Sequence, residues 1–121
     1  MTNEQNIQPV VALPTLAGVT NVYFIGIGGI GMSALARYFQ AKCATVAGYD
    51  KTETPLTKAL QQEGIHIHYN EAVADIPKDA NLVVYTPAVP AAHAELNFYK
   101  DHNYTVVKRS DVLGAITKET Y

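Results

Sequence analysis

The hydrophobic pattern is irregular up to Thr20 and regular from Asn21 onward. Val22-Tyr23-Phe24-Ile25-Gly26-Ile27 is an unbroken apolar, β-rich run, the pattern of a strand covered on both faces. Glycines at 28, 29 and 31 interrupt it, and Met32 to Lys42 then carries Leu35, Ala36 and Phe39 at helical spacing. Ala44 to Asp50 reads as a second strand ending on an acid. Thr54 before Pro55 opens a second helix that stops at Gly64. A short third strand follows at Ile65 to Tyr69, and a fourth at Asn81 to Thr86, stopped by Pro87 and Pro90. A helix from about His93 to His102 ends at Asn103. Tyr104 to Lys108 is a fifth strand, and Ser110 is placed to cap a last helix through Lys118. Asn70 to Ala80 has room only for a short helix or loop.

Strands alternating with helices at this spacing predict an α/β fold, a parallel sheet with right-handed crossovers. The expected architecture is a Rossmann-like doubly wound sheet of five parallel strands, order 3-2-1-4-5. Residues 1–20 are expected to be a flexible or irregular lead-in, and 21–121 the folded domain. The short apolar stretch from Val10 to Val19, broken by Pro14 and lacking preceding basic residues, is a poor signal peptide and too short to span a membrane.

At 121 residues there is room for one domain with a real core. A formal charge of -2 gives no electrostatic reason to expect nucleic acid, whose binding rests on phosphate neutralisation. The single cysteine, Cys43, cannot form an intrachain disulfide and reads as a small buried hydrophobe, in keeping with a reducing cytoplasm. His66 and His68 alternate along a strand and share a face, but no third metal ligand accompanies them, so polar sheet-edge positions are expected and no metal. Where that strand ends, His68, Tyr69 and Asn70 lie within reach of a bound base. His93 and His102 read as helix-surface residues.

The chemistry concentrates at Gly26-Ile27-Gly28-Gly29-Ile30-Gly31, a G-x-G-x-x-G turn between a buried strand and a helix. Gly26 permits the tight exit from the strand, Gly28 leaves room for a pyrophosphate, and Gly31 lets the helix pack closely. Free N–H groups and the helix dipole would meet the phosphate charge. Asp50, closing the next strand, can accept from a ribose hydroxyl or an imide N–H. Lys51 beside it reads by itself as a solvated charge. The chain contains no G-x-x-x-x-G-K-[ST], G-x-S-x-G, H-E-x-x-H or C-x-x-C, so no catalytic residues are expected in it.

The run from Val22 through Gly26-Ile27-Gly28-Gly29-Ile30-Gly31-Met32-Ser33-Ala34-Leu35-Ala36 closely resembles the opening of the UDP-N-acetylmuramate–L-alanine ligases of the Mur ligase family. The resemblance continues through Gly48-Tyr49-Asp50, Thr86-Pro87-Ala88-Val89-Pro90 and Lys108-Arg109-Ser110-Asp111-Val112-Leu113. The doubled glycine and Met32 favour the alanine-adding enzymes over the murein tripeptide ligases. The resemblance implies a UDP-N-acetylmuramic-acid-binding N-terminal domain for peptidoglycan biosynthesis, truncated before an ATPase domain and a C-terminal domain. ATP and Mg²⁺ would serve the complete enzyme; no cofactor is expected on this fragment. By the same resemblance, the glycine turn would hold the diphosphate, and Asp50 and Lys51 would sit near the uridine. The Thr86 to Val89 loop, with Pro87 and Ala88, would line the far wall. Arg109 would contact phosphate, or pair at the surface with Asp111 or Glu119. An NAD(H)-sensing regulatory Rossmann module is the alternative from another class; a dehydrogenase fragment is a third, without a recognisable substrate half.

Overall fold

The computed structural model describes residues 18–42 and 44–119. The expected lead-in therefore lies mostly, and Cys43 wholly, outside the described residues. The elements run β1 (Asn21–Ile25), α1 (Ile30–Ala41), β2 (Thr45–Tyr49), α2 (Pro55–Gln62), β3 (His66–His68), a 3₁₀ turn (Val73–Asp75), β4 (Leu82–Tyr85), α3 (Ala94–Asp101), β5 (Val106–Lys108) and α4 (Arg109–Glu119). All strand pairings are parallel, and the sheet order is β3-β2-β1-β4-β5, as the alternation predicts.

The central strand explains the layers. Along β1 the side chains alternate faces: Val22 and Phe24 join one core cluster, Tyr23 and Ile25 the other. Phe24 is 0% exposed. The first cluster packs β1, β4 and β5 residues Val22, Phe24, Leu82, Val84 and Val107 beneath Leu35 and Phe39 of α1, Leu60 of α2 and Val112 of α4. The second packs Tyr23, Ile25 and Val83 against Leu96 and Tyr99 of α3, with Ile76 beside the 3₁₀ turn. Burying each large apolar side chain contributes roughly 1.5–3 kcal/mol, so the two layers fix the sheet from both sides.

The helix ends follow local chemistry. Thr54 and Thr57 form a reciprocal capping box, with Pro55 in the first turn of α2. Asn103 follows α3 with φ 63°, a left-handed conformation that asparagine tolerates better than most side chains. The expectation for Ser110 is corrected: α4 begins at Arg109, directly after β5, so Ser110 lies inside the helix. The side chain that reaches back there belongs to Asp111, whose Oδ2 accepts from the Lys108 N–H at 3.2 Å.

Candidate functional site

The chain leaves β1 for β2 on one side and reaches β4 on the other, so the carboxyl ends of β1 and β4 open a crevice at the point where strand order reverses. Its volume is about 650 Å³. The glycine turn forms its floor. Gly26 has φ 94°, and its N–H and that of Ile27 both donate to the Tyr49 carbonyl, at 2.8 and 3.0 Å. A Cβ at Gly26 would lie 2.5 Å from Thr86 Cγ2, so glycine is required both by the backbone and by the opposite wall.

Gly29 stands as the N-cap of α1 and has no side chain to offer. Ser33 N–H makes the first helical bond, to the Gly29 carbonyl at 2.8 Å. The N–H groups of Ile30, Gly31 and Met32 precede that bond, and no acceptor meets them among the described residues. They sit at the positive end of a twelve-residue helix. Arg109 lies beside them: a Cβ on Gly31 would come within 2.9 Å of Arg109 Nη1. The bare backbone at Gly31 therefore accommodates a guanidinium, a different use from the helix–sheet packing expected of that glycine. The surface pairing of Arg109 with Asp111 is not formed; Asp111 bonds the Lys108 backbone instead.

Asp50 changes the expected reading of Gly28. Its Oδ1 accepts from the Gly28 N–H at 3.0 Å and its Oδ2 from the Thr52 N–H at 3.1 Å. A Cβ at Gly28 would meet Asp50 Oδ1 at 2.9 Å and Thr57 Cγ2 at 3.0 Å. The space at Gly28 is filled by the carboxylate, and its amide is engaged, so the unengaged donors lie one turn further on.

Of the residues singled out from the sequence, Gly26, Gly28, Gly29, Gly31, Asp50, Lys51, Thr86, Ala88 and Arg109 line the crevice. Ile30 and Pro87 do not; both are exposed, Ile30 at 86% on the tip of the turn. The crevice also takes in Tyr49, Glu71 and His93, which sequence reasoning passed over. His93 is corrected from a helix-surface residue: it is 2% exposed, and its Nδ1 accepts from the Glu95 N–H at 3.2 Å as the cap of α3.

Behind it, Glu95 is 0% exposed. Its carboxylate accepts from the Tyr23 hydroxyl at 2.6 Å, from His68 Nε2 at 2.6 Å and from the Ala72 N–H at 2.9 Å. His68 is thus a half-buried partner of a buried acid, whereas His66 is exposed at the sheet edge. Burial, then the Glu95 carboxylate, raises the Tyr23 hydroxyl far above its ordinary range. Glu71 accepts from the Ala94 N–H at 2.9 Å, a second carboxylate clasp between the 69–72 segment and α3. Burial, followed by the charges of Glu71, Glu95 and Asp50, raises Tyr49 as well. The crevice carries both kinds of group: the α1 amides with Arg109 beside Gly31, and the carboxylates of Glu71, Glu95 and Asp50 around Tyr49. Among the described residues no group of three or more metal-ligating side chains occurs.

These features define a Rossmann-like α/β domain with an anion-receptive helix terminus at its switch point. The family model described as "Mur ligase family, catalytic domain" matches residues 21–121. The UDP-N-acetylmuramate–L-alanine ligase of Cytophaga hutchinsonii is 54% identical over 109 residues, covering 86% of this chain and 23% of that protein. Its counterpart from Porphyromonas gingivalis is 55% identical over 101 residues, covering 79% of this chain and 22% of that protein. Among solved structures, the UDP-N-acetylmuramate-alanine ligase of Thermotoga maritima superposes with a TM-score of 0.77 at 30% identity, over 82% of this chain and 23% of that one. The murein peptide ligase of Psychrobacter arcticus does so at 0.65 and 25% identity, over 72% of this chain and 18% of that one. The chain belongs to the Mur ligase family. It spans under a quarter of the length of the first two of these relatives.

Proposed function

We propose that residues 21–121 form the UDP-N-acetylmuramic-acid-binding domain of a cytoplasmic, ATP-dependent ligase that adds L-alanine to that sugar nucleotide in peptidoglycan biosynthesis. The observation that carries the reading is the cluster of unengaged amides of Ile30, Gly31 and Met32 with Arg109 beside Gly31. A helix terminus and a guanidinium converging on one open site suit a diphosphate. Relatives named as UDP-N-acetylmuramate–L-alanine ligases supply the identity of the nucleotide sugar.

In this reading Gly26, Gly28 and Gly29 shape the turn, while the α1 amides and Arg109 hold the diphosphate. Asp50 and Lys51 face the uridine end, and Thr86 and Ala88 form the opposite wall. The contribution to catalysis is orientation: anchoring the nucleotide leaves the muramoyl carboxylate presented outward for activation. ATP and Mg²⁺, which the family resemblance implies for the complete ligase, do not fit the residues here. The sequence has no phosphate-loop lysine motif, and the described residues offer no metal-ligand cluster.

Titrating UDP-N-acetylmuramic acid, UDP and NADH into the ¹⁵N-labelled chain tests the proposal. Amide shifts at Gly28 to Met32 and Asp50 are expected at lower concentration with the UDP ligands, with affinities of roughly 10⁻⁴ to 10⁻³ M. A dinucleotide normally spans two such half-folds. Tighter NADH binding at the same amides would replace the ligase reading with a redox-sensing one.

A further inference from the structure

Beside Tyr49 the crevice holds a hydrogen-bond donor that no described residue accepts from. His93 Nδ1 accepts from the Glu95 N–H, which assigns the ring proton to Nε2. Nε2 is buried and has no partner among the described residues. The nearest carboxylate oxygen, Glu71 Oε2, stands 4.0 Å away, beyond hydrogen-bond reach. The ring cannot readily turn to satisfy itself. Tyr49 packs edge-on against it with centroids 4.6 Å apart, and its other nitrogen caps α3. Both His93 and Glu71 line the crevice. An oriented, buried, unpaired donor is destabilising to the free protein. A ligand atom that accepts from it removes that penalty on binding.

The chemistry of that atom follows from its neighbours. Glu71, Glu95 and Asp50 all bear on Tyr49, which packs against His93, so a phosphate would be repelled beside His93 and drawn to the α1 terminus and Arg109. The group that fits is neutral, with an acceptor next to a donor. A uracil imide edge has that arrangement, a carbonyl oxygen beside an N–H. Resting on the UDP-sugar reading above, we infer that His93 is the base-selecting residue: its Nε2–H donates to a uracil carbonyl while Glu71 Oε2 accepts the neighbouring imide N–H. With the diphosphate fixing the nucleoside, cytosine would set an amino group against the histidine donor and an unprotonated ring nitrogen against the carboxylate.

His93→Asn separates this role from helix capping, because asparagine can still accept the Glu95 N–H but does not reach the Nε2 position. Calorimetric titrations of wild type and variant with UDP, CDP and inorganic pyrophosphate provide the test. The variant should bind UDP roughly tenfold more weakly, pyrophosphate unchanged, and the wild-type preference for UDP over CDP should shrink toward unity. Unchanged UDP affinity, or equal losses for UDP and pyrophosphate, would overturn the assignment while leaving the UDP-sugar reading intact. Wild type binding UDP no better than pyrophosphate would instead take the proposed function down with it. Without any substitution, the His93 ring ¹⁵N signals should move on adding UDP and stay in place with pyrophosphate; signals indifferent to UDP also overturn the inference.

Discussion

The two faces of the sheet are built on different chemistry. Under α1, α2 and α4 the sheet presents Val22, Phe24, Leu82, Val84 and Val107 to apolar helix residues. Of the buried hydroxyls on that side, Ser33 bonds the Ile30 carbonyl, and Thr57 donates to the Thr54 carbonyl within the capping box while accepting from the Tyr69 hydroxyl at 3.0 Å. Under α3 the sheet presents Tyr23 and Tyr49, and a fully buried glutamate gathers a tyrosine, a histidine and a backbone amide from three separate segments. Apolar contact is non-directional and fixes how tightly layers approach. Hydrogen bonds to a buried carboxylate fix orientation as well. The difference teaches how the crevice is held. Helix α1, which follows the glycine turn, is seated by apolar packing; the start of α3, where His93 enters, is aimed by a polar network.

Substitutions on the two faces should therefore separate stability from binding. Phe24→Ala, in the centre of the apolar face, should destabilise most, by about 3–5 kcal/mol, measured by urea unfolding. In the folded fraction its UDP affinity should stay near wild type. Glu95→Leu leaves the Tyr23 hydroxyl, His68 Nε2 and the Ala72 amide without their acceptor, and should destabilise by about 2–4 kcal/mol. It should also weaken UDP binding, since α3 and the 69–72 segment lose their clasp; unaffected binding would show that both walls are equally robust. Tyr23→Phe removes one donor and keeps the ring, so a loss of about 1–2 kcal/mol is expected. A loss as large as that of Glu95→Leu would mean the carboxylate is not the hub.

The sheet order was legible because each strand carried its own signal. The apolar run at Val22 to Ile27 required cover on both faces, and Thr54-Pro55 and Asn103 marked helix ends by local chemistry alone. The crevice was legible for the same reason, since a glycine turn after a buried strand and an acid at the next strand end are sequence-local. Glu95 and His93 were not. A glutamate in the first turn of an α-helix reads as a solvated, dipole-favoured residue. Its burial depends on Tyr23, 72 positions earlier in the chain, and His68, 27 positions earlier. One clue was available: a tyrosine in the middle of a strand covered on both faces needs a partner for its hydroxyl. The capture of Gly28 by Asp50 escaped for a related reason. Spacing places the acid at the crevice mouth but not which of two directions its side chain takes.

The glycine turn is already wound before any ligand arrives. Gly26 and Ile27 share the Tyr49 carbonyl, Gly28 is tied to Asp50, and Ser33 has closed the first helical bond on Gly29. Little backbone freedom remains there for binding to freeze, so the entropic penalty of association falls on side chains and on the ligand itself. Such a receptor recognises its anion by shedding water from a finished surface rather than by folding around it.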